Sequence, residues 1–287
     1  MNSAEFLPLV SVVVPVYNGE KDLPDLIECL RSQTYPTNRV EYLLVDNKSR
    51  DYTSTILQAA AKSPNQEGFN QITLRNLSEN TIQSSYAARN KGIRASTGEI
   101  IAFTDADCRP EPQWLQNLVQ PFANLDIGIT CGEILALPGN TLLEKHAARE
   151  NTLSQKHTLA HPFCPYGQTA ETSYKIYFAE SAIARHRHRS TIKQLQSQWH
   201  RYGESNKYLH ELHGVDLMRE FKIREYFYRL ARWLLKELPV AAAKCAIARA
   251  DLVDLLNTPI GLLNVRARAI GQRQAKLPEL AREIERL

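Results

Sequence analysis

Three clusters of polar residues each follow an apolar run rich in β-branched side chains. Tyr17-Asn18-Gly19-Glu20 follows Val10–Val16, Asp46-Asn47-Lys48-Ser49-Arg50-Asp51 follows Val40–Val45, and Asp105-Ala106-Asp107-Cys108 follows Ile100–Thr104. The last is the sharpest. Two carboxylates one residue apart, leaving a buried strand, can point the same way when the chain bends there. Hard divalent ions such as Mg²⁺ or Mn²⁺ favour carboxylate and phosphate oxygens and keep several waters. Asp105 and Asp107 are therefore candidate metal residues beside space for a diphosphate. The competing reading is an N-cap cluster ahead of Pro110 and the next helix, since one acidic loop at a strand end is commonly a cap. Three such loops converging on one sheet edge favour a ligand.

For the loops to converge, the elements before them must lie side by side. Val10–Val16 is a continuous β-branched run, the mark of a strand buried on both faces. Asp22 offers an N-cap, with Pro24 and Asp25 in the first turn and Leu23, Leu26, Ile27 and Leu30 at helical spacing. The pattern then predicts a strand over 40–45, a helix over 53–61, a short strand over 72–74 and a helix over 84–94. A turn at Thr97-Gly98 leads into a strand over 100–104. A helix after Pro112, a strand over 127–135, a helix from Thr141 to about Leu153 and a strand over 174–184 follow. Repeated β-α-β units imply an α/β fold with a mainly parallel, Rossmann-like sheet and helices on both faces. Ligands of such sheets bind outside the C-terminal strand ends. From Thr191 onward the pattern is helical only, including 221–238, 240–256 and 278–287. The expected division is an α/β region over 1–189 and an all-helical region over 190–287.

A hydrophobic fraction of 43% and a charged fraction of 23% fit a soluble globular chain. Cys29, Cys108, Cys131, Cys164 and Cys245 form no C-x-x-C pair, which argues against a disulfide framework or zinc knuckle and for a reducing, cytoplasmic compartment. The opening lacks the basic-then-apolar layout of a secretory leader. No stretch reaches the ~18 uncharged apolar residues of a spanning helix. From Arg185 onward there are 20 Lys/Arg against 11 Asp/Glu, leaving 15 against 20 before that point. An acidic front half and basic helices without a recognisable module argue against nucleic acid as a partner.

The passages V-V-V-P-V-Y-N-G-E (12–20), V-D-N-K-S-R-D-Y-T (45–53), A-A-R-N-K-G-I-R-A-S-T-G-E-I-I-A-F-T-D-A-D-C (87–108) and W-L (114–115) resemble the family 2 glycosyltransferases of the GT-A fold, in order and spacing across roughly the first half of the chain. The resemblance implies an enzyme that moves a sugar from a nucleoside-diphosphate sugar, a UDP-sugar first, to a glycan or lipid-linked acceptor in cell-surface polysaccharide or glycan synthesis. It implies inversion and a divalent cation, Mg²⁺ or Mn²⁺. Pro15, Tyr17 and Glu20 would line the nucleotide pocket, and Asp46 would hydrogen-bond the base. Arg89 would sit near base and diphosphate, with Asn90 and Gly92 shaping that loop. Asp105 would hold the ribose or the water shell of the metal, and Asp107 would coordinate the metal. In relatives a histidine after a late strand faces the diphosphate or metal; His186, in His186-Arg187-His188-Arg189, stands there. Imidazole suits Mn²⁺ and arginine suits phosphate. A basic turn in solvent is the alternative.

The family's pattern breaks after Cys164-Pro165-Tyr166-Gly167-Gln168-Thr169-Ala170. Glu171, Thr172 and Ser173 run directly into Tyr174-Lys175-Ile176-Tyr177-Phe178, which looks like the strand beyond a missing section. In relatives that section carries the general base that takes the acceptor hydroxyl's proton. Glu171 is the nearest surviving acid; Glu133 and Glu180 read as structural. A nucleotide-sugar-binding protein without transfer is therefore one alternative. A nucleotidyltransferase is another, but Asn18-Gly19-Glu20-Lys21 matches its Gly-rich, lysine-bearing phosphate loop poorly. Over 221–235, Phe221, Ile223, Tyr226, Phe227, Leu230, Trp233 and Leu234 alternate with Lys222, Arg224, Arg229 and Arg232. Such a stripe either packs on the parent domain or lies in a membrane interface, which would make the chain peripheral on the inner face of the cell membrane.

Overall fold

A computed structural model describes residues 6–62, 72–150, 154–156, 175–247 and 251–277. The chain divides into two compact units, one of Met1–Leu137 with Asn151–Arg187, the other of Pro138–Glu150 with His188–Leu287. The first unit holds two sheets. β1 (Val10–Val16), β2 (Val40–Asp46), β3 (Thr73–Ser78) and β4 (Ile100–Phe103) form a parallel sheet in the order β3-β2-β1-β4. β5 (Cys108–Pro110), β6 (Ile127–Ala136) and β7 (Lys175–His186) form a second in the order β5-β7-β6. There β7 runs parallel to β6 and antiparallel to β5.

β1 is the axis of the first sheet, and its valines face two ways because side chains alternate along a strand. Val10, Val12, Val14 and Val16 join Leu23, Leu26, Ile27 and Leu30 of α1 (Leu23–Arg31) and Trp114 and Leu115 of α4 (Trp114–Val119) in one core. Val13 joins Leu43, Val45 and Ala88 of α3 (Ser85–Ala95) in a second, on the other face. Each fully buried aliphatic side chain contributes roughly 1.5–3 kcal/mol. α2 (Thr53–Lys62) follows β2 and buries Leu57 in the first core. The helix expected over 84–94 is α3, and Ser84 caps it, its hydroxyl accepting the Ala87 N–H at 3.1 Å. Asn90 and Gly92 lie inside α3 rather than in a loop. A Cβ on Gly92 would come within 2.3 Å of Val13 Cγ1, so glycine here lets α3 sit tightly on β1.

The second unit is helical: α5 (Leu142–Glu150), α6 (Ile192–His213), α7 (Ile223–Arg232), a π-helical turn (Trp233–Glu237), α8 (Leu238–Ala246) and α9 (Leu252–Gln274). The helix predicted over 240–256 is instead broken. Asp251 starts a new helix by accepting the Val253 N–H at 2.8 Å, while Asp254 accepts the Asp251 N–H at 2.9 Å. The helix predicted over 278–287 lies outside the described residues. Among those described, no helix is long and apolar enough to cross a membrane.

At the N-terminal end of the first sheet, buried Glu41 lies opposite Ser11 in the register of β1 and β2. It accepts hydrogen bonds from Ser11 Oγ at 2.7 Å, Thr97 N at 2.7 Å, Thr97 Oγ1 at 2.8 Å and Arg75 Nη1 at 3.0 Å. Burial pushes its pKa up, but these donors outweigh burial and hold it below its ordinary value of 4.5. A depressed folded-state pKa means that this stabilisation is complete above the unfolded value and is lost as pH falls through the folded one. Glu41→Gln is expected to cost about 2–3 kcal/mol at pH 7, by weakening these bonds and offering an amide where acceptors are needed. Chemical denaturation at pH 7 and below pH 4.5 checks this, and the difference from the native chain narrows at the lower pH.

Candidate functional site

β1 lies between β2 and β4, so three loops leave the same C-terminal edge of the sheet. Val16 is paired with Asp46, and Val13 with Phe103. The first two loops are laced together by backbone N–H groups donating to side chains. Asn18 N–H bonds Ser49 Oγ at 2.9 Å, Gly19 N–H bonds Thr53 Oγ1 at 2.8 Å, and Glu20 N–H bonds Asp51 Oδ2 at 3.2 Å. In return, Arg50 N–H bonds Asn18 Oδ1 at 2.9 Å and Tyr52 N–H bonds Glu20 Oε2 at 3.2 Å. Asn18 and Lys48 both hold left-handed backbone, at φ 50° and 60°. That conformation is uncommon outside glycine and persists only where its surroundings enforce it. Buried Asp46 accepts the Ser49 N–H at 3.1 Å. Its neighbour Asn47 reaches the loop after β3, donating to the carbonyls of Glu79 at 3.1 Å and Ile82 at 2.8 Å.

After β4 the chain turns through Asp105-Ala106-Asp107 into β5. Arg89, on α3, donates to Asp105 Oδ1 at 2.6 Å. The antiparallel register of β5 and β7 sets Cys108 opposite His186, which brings Asp107 Oδ1 to 3.3 Å from His186 Nε2. The Arg187 N–H also donates to the Asp107 carbonyl at 3.2 Å. Ligand-capable atoms of Asp107, Cys108 and His186 all lie within 4.8 Å of one another. Cys108 is the odd member. Burial, reinforced by the Asp107 carboxylate, pushes its thiol up to about 12, so it is neutral beside the other two.

Behind the turn lies a group that sequence reasoning missed. The Arg109 side chain, only 9% exposed, donates to Asp22 and Asp25, each at 3.0 Å, and to the Cys108 carbonyl at 2.9 Å. Arg187 reaches the same Asp22 carboxylate at 3.0 Å. Asp22 does occupy the N-cap position of α1, but its side chain makes no cap hydrogen bond and serves these arginines instead. No spacing rule could find an ion cluster drawn from α1, β5 and the end of β7.

Of the sequence-predicted residues, Arg89 and Asp105 stand together, as do Asp107 and His186, while Asp46 lies at the same edge as the last residue of β2, opposite Val16. Pro15 is part of β1, and Tyr17 is half-exposed beyond it. Glu20 spends one carboxylate oxygen on the Tyr52 N–H. Glu171 and the junction at 170–174, where the sequence pattern leads one to expect a missing section, lie outside the described residues. A cavity of about 490 Å³ opens between β4 and β6, with Arg89, Phe103, Asp105, Cys131, Glu133 and Gln155 on its wall. Glu133 has a structural role there: its Oε1 accepts the Gln155 N–H at 3.1 Å and its Oε2 the Ser154 hydroxyl at 3.2 Å. Exposed Glu180 pairs with Lys156 at 3.4 Å.

A family model described as glycosyl transferase family 2 matches residues 11–256. Over 147 residues the chain is 37% identical to the glycosyltransferase AglE of Haloferax volcanii, a match covering 50% of this chain and 46% of that protein. Over 115 residues it is 35% identical to an undecaprenyl-phosphate 4-deoxy-4-formamido-L-arabinose transferase of Pseudomonas aeruginosa, covering 40% and 32% respectively. The chain thus spans less than half the length of these relatives. Among solved structures it is similar to the mannosyltransferase PcManGT of Pyrobaculum calidifontis, in complex with GDP-Man and Mn²⁺. The TM-score is 0.58 at 16% identity, covering 94% of this chain and 88% of that one. At that identity the likeness is one of fold, and the fold is GT-A.

The Arg109 cluster separates buried from exposed ion pairs. Arg109→Met leaves Asp22 to Arg187 alone and is expected to cost about 2–4 kcal/mol, because a partly buried carboxylate loses one of its two cationic partners and the Cys108 carbonyl loses its donor. Asp25 is 60% exposed, and Asp25→Asn is expected to cost less than about 1 kcal/mol. Urea unfolding of the two variants measures the contrast.

Proposed function

The chain belongs to the family 2 glycosyltransferases, and from that premise we propose that it transfers a sugar from a nucleoside-diphosphate sugar to an acceptor hydroxyl. The observation that carries this reading is the Asp107–His186 pair, 3.3 Å apart, at the edge where Arg89 and Asp105 also meet. A carboxylate beside an imidazole suits Mn²⁺, and the carboxylate alone suits Mg²⁺. Asp107 and His186 would hold the ion, with neutral Cys108 packed behind them. When bound, such an ion offsets the negative charge that builds on the departing nucleoside diphosphate.

The remaining roles follow from what each side chain can offer. Arg89 carries fork-like donors suited to phosphate oxygens, and Asp105 both orients that guanidinium and can accept from a ribose hydroxyl. Asp46 is an acceptor for N–H groups of the base, and Pro15 and Tyr17 line that side. Glu20 acts through the loop that it ties down. The donor is a UDP-sugar by family resemblance, and a GDP-sugar is tested beside it because PcManGT was solved with GDP-Man. The undecaprenyl-phosphate transferase among the relatives supports a lipid-linked acceptor, which would put the reaction at the cytoplasmic face of a membrane. Inversion requires a carboxylate to take the acceptor's proton, and Glu171 is proposed for it.

A second reading, donor binding without transfer, is favoured by one observation: both oxygens of Glu133, which shares the cavity wall with Asp105, already accept hydrogen bonds. Calorimetric titration with UDP and GDP in the presence of Mn²⁺ tests the site first. Asp107→Asn and His186→Gln are each expected to weaken Mn²⁺-dependent binding by at least about tenfold. Sugar transfer or donor hydrolysis is then assayed on the native chain. Turnover supports transfer, and tight binding without turnover supports the second reading. Nucleotide binding that is indifferent to both metal and Asp107 overturns both.

A further inference from the structure

The sequence leaves two fates open for the stripe in α7, and the structure divides its residues between them. Trp233 turns inward, its Nε1–H donating to the Leu255 carbonyl of α9 at 2.9 Å. Glu237, one turn on, accepts the Thr258 hydroxyl at 2.6 Å. Tyr226 packs edge-on against Phe221 at 5.7 Å between ring centroids. The other apolar residues face outward. Ile223 is 73% exposed, Phe227 67%, Leu230 45% and Leu234 54%, with Leu235 beside them at 77%. Spacings of four, three and four put the first four residues on one helical face. An amphipathic helix ordinarily turns such a face into the core, and among the described residues nothing apolar covers this one.

The charges around the stripe limit what can cover it. From Arg219 to Lys244 there are seven Lys/Arg against Glu220, Glu225 and Glu237. The three glutamates are already engaged: Glu225 pairs with Arg219, Glu220 with Arg273, and Glu237 with Arg232. Arg232 lies round the helix from this face, on the side where its partner Glu237 meets Thr258; Arg224, Arg229 and Lys236 supply positive charge to either side of the stripe, and Arg229 lies 4.5 Å from the centroid of the Phe221 ring. Were a second copy to bind this face about a two-fold axis, the same arginines would meet one another. An anionic surface with an apolar interior satisfies both halves of the pattern. The segment is too short and too polar to span a bilayer, but it has the form of a helix lying in the interface plane.

We propose that the outward face of α7 and the following turn, centred on Ile223, Phe227, Leu230 and Leu234 and flanked by the basic residues Arg224, Arg229 and Lys236, docks the chain on an anionic lipid bilayer. This deepens the reading of a lipid-linked acceptor but rests on different residues, so the two can fail separately. Flotation of the full chain with vesicles of phosphatidylcholine, with and without phosphatidylglycerol, tests it. The native chain is expected to float with the anionic vesicles and to be released by high salt. Phe227→Glu with Leu234→Glu is expected to abolish flotation. Arg224→Gln with Lys236→Gln is expected to weaken it by roughly 30-fold, the loss of two basic side chains at an anionic surface. Circular dichroism and Mn²⁺-dependent nucleotide binding, measured on each variant, show whether the fold and the first unit are intact. Flotation of the native chain with neither vesicle overturns the proposal, as does flotation unchanged by the Phe227 and Leu234 substitutions. Concentration-dependent dimerisation lost in the Phe227→Glu, Leu234→Glu variant, without flotation, overturns it in favour of a second copy.

Discussion

The site depends on one pairing: three residues of β5 lying antiparallel against the end of β7. That register puts a carboxylate from one end of the unit beside an imidazole from a strand far along the chain. A hydrogen bond from the Arg187 backbone to the Asp107 carbonyl continues the pairing one step past the strand. β5 is too short to hold this arrangement through its own ladder. Arg109 supplies the backing, since its guanidinium binds the carbonyl of Cys108 and the carboxylates of α1 together. Asp22 then takes Arg187 as well, so one carboxylate ties both strands to the first helix.

The parallel sheet does a different job. Its axis is a strand whose valines fill a core on each face, and its C-terminal edge carries loops that would be floppy if left to themselves. They are held by short polar side chains that accept backbone N–H groups, leaving few of those donors to search for water. The left-handed residues Asn18 and Lys48 sit within this lacing. A rigid loop edge is useful for a nucleotide, because groups that are already positioned lose little further freedom on binding. On the opposite edge, Glu41 gathers Ser11, Thr97 and Arg75 into a node that ties β1 and β2 to the turn before β4. The two ends of one sheet are thus held by two separate polar networks.

What the sequence disclosed was mostly local. β1 runs over the residues that its valine run marks, α3 covers the expected helix to within a residue at either end, and the Asp-Ala-Asp turn follows its strand as expected. The resemblance pointed to His186, and the register explains why that residue meets Asp107. Long-range ion pairs were not legible. Arg109 looks like an ordinary residue after a turn, and Asp22 looks like a simple cap, until folding brings them within 3.0 Å. The second sheet was not legible as a separate layer either, because pattern alone does not say which strand pairs with which. The break between Ala246 and Leu252 hides in a sequence where Asp251 and Asp254 could equally be exposed helix residues. Glu20, expected at a ligand, also holds the loop beside it through the Tyr52 N–H.

A cation shared between Asp107, His186 and a nucleoside diphosphate is the centre of the proposed chemistry. Pulsed electron paramagnetic resonance of Mn²⁺ bound to the full chain with UDP or GDP addresses this directly. Coupling of the manganese to one imidazole nitrogen and to phosphorus of the nucleotide, with the nitrogen signal absent in His186→Gln, is the result expected. Manganese that couples to phosphorus but to no nitrogen, or that is unchanged by the substitution, would contradict it.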